Sequence, residues 1–173
     1  MESRAKLFGH AIHPILIVFP LGLLGTAVIF DIIYLIWGSS LMAQVSFWMM
    51  TAGIIGGLLA APFGLLDWMA IPNGTRAKTV GAFHGITNVV VLLLFVGSWG
   101  MRSDLPESPE TLASILSFAG FVLALVGGWL GGELVERLGV SVDEGANLNA
   151  PNSLTSSTVQ PAGSSYQKNV VRS

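Results

Sequence analysis

The chain contains no cysteine. That excludes disulfides, cysteine-ligated iron–sulfur clusters, thioether-linked haem and thiolate zinc sites within it. Any metal must be held by His, carboxylate or Met. Charge is scarce as well: 10% of the 173 residues are Asp, Glu, Lys or Arg, against roughly 25% in a soluble domain. The net charge of −2 argues against a nucleic-acid role. No nucleophile–base pair, phosphate loop or nucleotide fingerprint occurs, so nothing marks the chain as an enzyme.

Apolar residues take the place of charge. They make up 52% of the chain, and the mean hydropathy is +0.70. Glycine is abundant, at 21 residues, which suits close helix packing in a bilayer. Four long apolar runs are evident, at about 14–37, 43–71, 80–101 and 112–138. Each reaches the ~20 residues needed to cross ~30 Å of hydrocarbon. The connections are short: Gly38-Ser39-Ser40, then Pro72-Asn73-Gly74-Thr75, then an acidic segment from Ser103 to Glu110. Short connections make neighbours antiparallel, so the expected fold is an all-α, up-down-up-down four-helix membrane bundle over residues 1–142. Residues 143–173 form a polar, low-complexity tail that cannot bury enough apolar surface to fold alone, and it is expected to be disordered. Arg4 and Lys6 precede the first run. That run is longer than the ~7–15 residues of a signal-peptide core and has no clear cleavage site after it, so it is expected to stay as an anchor.

The basic residues set an orientation. Arg4, Lys6, Arg76, Lys78, Arg137, Lys168 and Arg172 lie on one side of the four runs, and only Arg102 lies on the other. The positive-inside rule then puts both termini in the cytoplasm of an inner membrane. Trp37, Trp48 and Trp99 would mark the outer interface, and Trp68 and Trp129 the inner one.

The same alternation brings ionisable residues to one depth. His13, Asp67, His84 and Glu133 each fall roughly one to two turns from the cytoplasmic face, given ~1.5 Å of rise per residue. An ionisable group at membrane depth costs at least ~2.5 kcal/mol on insertion scales, so each is a functional candidate. Together they predict one site. His10 would share a face with His13 if that stretch is helical. Asp31 lies near the outer end, with Arg102 as its expected partner.

Several segments carry a family resemblance. They are Gly9-His10-Ala11-Ile12-His13-Pro14, with Phe19-Pro20 beyond it; Gly64-Leu65-Leu66-Asp67; His84; and Gly131-Gly132-Glu133-Leu134-Val135 with Gly139-Val140. Together they resemble the DUF2231 family of predicted four-span bacterial membrane proteins, over roughly residues 7–142. The resemblance implies the architecture and a bacterial membrane. It implies no reaction, because the family name records an unknown function.

Each candidate has a structural reading beside the functional one. His13 is expected to cap a helix beginning at Pro14, since the residue before proline avoids the α conformation; it is either an interfacial His or a ligand. His84 lies between Gly81 and Gly85, with Asn88 one turn on. It is either bonded across helices to Asp67 or Glu133, or it serves as a ligand or a proton relay. Asp67 would pair with Arg76 or Lys78, and Glu133 with Arg137; alternatively, either carboxylate orients a ligating imidazole. The glycine pairs Gly53/Gly57, Gly81/Gly85, Gly127/Gly131 and Gly128/Gly132 would let helices touch. Pro20 and Pro62 would kink the first two spans.

Two function classes follow. In one, the bundle is a redox module: His13 and His84 bind haem b or a transition metal, and His10, Asp67 and Glu133 are further metal-site candidates. In the other, it is a membrane scaffold or partner subunit whose polar cluster only specifies the fold. Lipid is a partner in both, and a redox or membrane protein is a candidate partner. A proton or ion pathway is weaker, since the outer half offers only Asp31.

Overall fold

The computed structural model describes residues 1–154, and four apolar helical segments dominate it. A short antiparallel hairpin precedes them, β1 (Lys6–Leu7) and β2 (His10–Ala11), with Lys6 opposite Ala11 and Leu7 opposite His10. Phe8 and Gly9 turn it at positive φ, 51° and 83°, the conformation a two-residue hairpin turn demands. The first span is α1 (Ile12–Leu16) running through Ile17 into α2 (Val18–Trp37). Then come α3 (Ser40–Ala70), α4 (Arg76–Gly100) and α5 (Thr111–Gly132), which ends in a π-helical turn, Glu133–Arg137.

Local chemistry explains the boundaries. Pro20 cannot donate to Leu16, the last residue of α1, so the first span loosens there without breaking: Ile17 keeps helical φ/ψ, and Leu21 donates to its carbonyl at 3.1 Å. Pro62 lies inside α3, which is helical on both sides of it. Thr75 caps α4 by accepting from the Lys78 N–H at 3.2 Å, so this helix starts earlier than hydropathy alone implies. The end of the fourth span closes on Gly139 at φ 64°, with Val140 N–H donating to the Leu134 carbonyl at 2.9 Å.

The helices alternate direction, so both ends of the described chain lie at one end of the bundle. There the Met1 amine donates to the Gly139 carbonyl at 3.0 Å. This is the terminal end, and the opposite one is the loop end. Large apolar side chains cover the outside, including Val18, Phe19, Trp37, Leu58, Phe83, Leu93, Val122 and Trp129. Such a surface needs a hydrocarbon solvent, and helices satisfy their own backbone groups in it. The described part of the polar tail, 143–154, forms turns against the N-terminal arm, where Glu144 N–H donates to Glu2 and Asp143 faces Lys6 at 3.6 Å. Glu2 also bonds Lys6 directly and holds its ammonium above the ordinary lysine pKa. Residues 155–173, where most of the expected disorder falls, lie outside the described residues.

The bundle is two helical hairpins, α1–α2–α3 and α4–α5, whose buried positions correspond. Counted from His13 and from His84, Pro20 matches Val91, Leu24 matches Phe95, Ala27 matches Ser98, and Asp31 matches Arg102. Every one of these is buried. Counted from Ala60 and from Gly127, the second helices match in the same way: Ser46 with Ala113, Phe47 with Ser114, Met50 with Ser117, and Gly53 with Gly120. The second hairpin is about a turn shorter at its loop end.

Candidate functional site

His13 sits inside α1. The helix begins at Ile12 rather than at Pro14, so His13 is not its cap. Pro14 is then in the first turn, where its missing N–H has no intrahelical acceptor to lose, and the usual restriction on the preceding residue is outweighed. Ile12 N–H donates to the Ala5 carbonyl at 2.9 Å and fixes the start. From there the His13 ring crosses to α3. Its Nδ1 is 3.0 Å from the Ala60 carbonyl oxygen. The ring lies over Gly64, where a Cβ would come within 2.8 Å of Cε1.

His84 repeats the arrangement in the other hairpin. Its Nδ1 is 3.0 Å from the Gly127 carbonyl oxygen, and its Cε1 would lie 3.2 Å from a Cβ on Gly131. In both hairpins the accepting carbonyl and the glycine notch are one helical turn apart. The Asn88 amide lies against the His84 ring, donating to the His84 carbonyl at 2.9 Å and standing 3.2 Å from Nε2. A carbonyl can only accept, so each Nδ1 carries a proton and donates it; in a neutral imidazole the acceptor is then Nε2. The two half-buried rings face one another with centroids 6.4 Å apart and planes at 86°. They fall between two apolar clusters, one built on Leu24, Met50, Ile54 and Phe95, the other on Ile71, Leu134 and Val140.

The other candidates turn away from the pair. Buried Asp67 accepts from Ser3 Oγ at 2.7 Å and from Arg4 N–H at 3.0 Å through Oδ1. It anchors the N-terminal arm rather than pairing with Arg76 or Lys78 or orienting an imidazole. Among the described residues its Oδ2 has no partner. Lys78 instead donates to the Trp68 carbonyl at 2.8 Å and stacks 4.1 Å over the Trp68 ring. Glu133 takes Arg76 at 2.6 Å across the helices, not Arg137 along its own, because the π turn rotates the chain after Gly132. His10 is on β2 rather than on a helical face with His13, and it meets Ser153 Oγ at 3.3 Å. It lines an open cleft of about 400 Å³ with Pro14, Ile15, Val135 and Ser141. Within the expected cluster the ring contact joins the two histidines, while Asp67 and Glu133 bond to the N-terminal arm and to Arg76. No group of three or more His, Asp or Glu suited to a metal ion occurs among the described residues.

At the loop end Asp31 and Arg102 form a fully buried, two-pronged ion pair with N–O distances of 2.5 and 2.8 Å. Ser117 donates to Asp31 at 2.8 Å, and Ser46 stands 3.4 Å from the guanidinium. The partner expected for Asp31 is the one found; the serines around the pair were not anticipated.

A signal for the paired hairpins is present in the chain and escapes a reading by depth alone. Arg4-Ala5-Lys6 followed by Gly9 and His13 recurs as Arg76-Ala77-Lys78 followed by Gly81 and His84. The first copy is one residue longer before its histidine and folds as a β-hairpin there, which hides the repeat.

Fold and composition together define a four-span integral membrane protein. The chain belongs to the family described as "Predicted membrane protein (DUF2231)", which it matches over residues 9–144. No curated protein and no solved structure is detectably similar to it.

Proposed function

We propose that the chain is a membrane-embedded redox module that binds a haem or a transition metal through His13 and His84. The observation that carries this reading is the facing imidazole pair, with both Nδ1 atoms tied to backbone carbonyls. A ligating imidazole characteristically gives its other N–H to a carbonyl or carboxylate. The expected carboxylates are absent from that role, and backbone fills it. The redox partner would be a membrane protein or a soluble carrier reaching the terminal end. With the basic bias, that end faces the cytoplasm of a bacterial inner membrane.

The test is a visible spectrum and metal analysis of the protein purified in detergent from haem-supplemented cells. The wild type carries the cofactor and the double variant His13→Ala/His84→Ala does not. A wild type without colour or metal favours the second reading, a non-catalytic scaffold; the turning away of Asp67, Glu133 and His10 from the pair supports that reading. Because the chain has no cysteine, single cysteines placed at Ser39 and Asn147 test the orientation, and should label from opposite sides.

A further inference from the structure

The match between hairpins extends to which residues meet. His13 and His84 occupy corresponding positions and face each other. Asp31 lies as far beyond His13 as Arg102 lies beyond His84, and these two also meet. Corresponding residues can touch only where a two-fold axis passes between them. Alternating helix directions set that axis along the bundle, as in membrane proteins built from parallel repeats. The histidines' supports obey the same relation: the carbonyl of Ala60 matches that of Gly127, and Gly64 matches Gly131. A ligand between the imidazoles therefore lies on the axis and takes one bond from each side.

The number of donors narrows the ligand. A bare zinc, iron or manganese ion in a protein takes about four to six ligands. Two imidazoles are present, and among the described residues no third His, Asp or Glu joins them in a metal-holding group. An iron porphyrin brings four equatorial nitrogens and lacks only two axial ligands. Bonds of ~2 Å from one ion to two opposed imidazoles would hold the ring centres roughly 6 Å apart, close to the 6.4 Å observed. The two imidazoles sit where the buried apolar core divides into two clusters, so the hairpins must part there by the thickness of a macrocycle to admit it.

We propose that His13 and His84 are the two equivalent axial ligands of a single iron porphyrin lying on the axis between the hairpins. This rests on the haem-or-metal reading above and deepens it. The histidines' surroundings differ at Asn88, whose amide stands 3.2 Å from the His84 Nε2 and has to move aside for an axial bond; its counterpart in the first hairpin is Ile17.

Electron paramagnetic resonance of the oxidised, detergent-purified full chain tests it, with the haem-to-chain ratio measured in parallel. The expected wild type holds one haem per chain with a low-spin, strongly anisotropic signal, as near-perpendicular imidazole planes produce. His13→Ala and His84→Ala each convert the iron to high spin, and added imidazole restores low spin in both. A high-spin wild type overturns the proposal, and that result does not depend on either variant folding. So does a single variant that stays low spin without added imidazole. Bound copper or another metal without porphyrin overturns the axial-pair proposal and leaves the metal-module reading standing. A metal-free, colourless wild type overturns both.

Discussion

The two ends of the bundle solve the same geometrical problem differently. At each end a residue from the first hairpin meets its counterpart from the second. At the loop end the counterparts are complementary, Asp31 and Arg102, and they satisfy each other with two short hydrogen bonds and help from Ser117. Both charges are matched, and Arg102 Nε alone of the pair's polar atoms has no partner among the described residues. At the terminal end the counterparts are identical. Two imidazoles with Nδ1 tied to backbone carbonyls face each other, and neither offers the other a proton or a counter-charge; the Asn88 amide stands 3.2 Å from the His84 Nε2. A pair of opposites can neutralise itself, and a pair of equals cannot. The loop end is accordingly a device of folding, and the terminal end is where function is sought.

The largest predicted effect is at the closed end. Arg102→Ala leaves Asp31 buried without its counter-charge and should cost about 3–5 kcal/mol. Replacing both partners, Asp31→Leu with Arg102→Met, should cost far less, because no uncompensated charge remains. Thermal unfolding in detergent separates the two variants. Equal losses in both would mean that the shape of the network matters rather than its charge.

Asp67→Asn should come next, at about 1.5–3 kcal/mol, since it weakens charge-assisted bonds to Ser3 and Arg4. Limited proteolysis should then cut the N-terminal arm sooner, while cofactor content holds. A drop in cofactor without faster cleavage would restore Asp67 to the site. Gly64→Ala presses a methyl to 2.8 Å from the His13 ring and should displace it from the Ala60 carbonyl. A loss of about tenfold in cofactor affinity is expected, as when a ligand's support is removed. Gly131→Ala, at 3.2 Å from His84, should do the same more weakly. Equilibrium haem titration ranks them, and the reverse order would break the correspondence of the two hairpins. Smallest is Glu133→Gln. Its partner Arg76 is largely exposed, so a change within ~1 kcal/mol is expected.

Much of this was legible in the sequence. Hydropathy and loop length carried the four spans, because a bilayer imposes its thickness on any helix that crosses it. Common depth foresaw that His13 and His84 would meet, and the outer-end position of Asp31 foresaw its pairing with Arg102. Depth could not say which way a side chain turns. Asp67 and Glu133 share the level of the histidines, yet the N-terminal arm captures one and Arg76 the other. The β-hairpin at residues 6–11 was illegible too, since its Phe8-Gly9 turn is a weak signal inside a short run and it displaced His10 from a helical face. The carbonyl supports at Ala60 and Gly127 are backbone atoms, which composition does not reveal. The recurrence of Arg-Ala-Lys, Gly and His was visible all along and needed only a comparison of the chain with itself.

The central claim is that the identical pair, and not the complementary pair, holds a ligand. The haem-to-chain ratio measured side by side in the wild type, His13→Ala/His84→Ala and Asp31→Leu/Arg102→Met tests it most directly. The account predicts one haem per chain in the wild type, none in the histidine double variant, and the wild-type ratio in the ion-pair double variant. A histidine double variant that retains the wild-type haem content, or a wild type that takes up none, would contradict it.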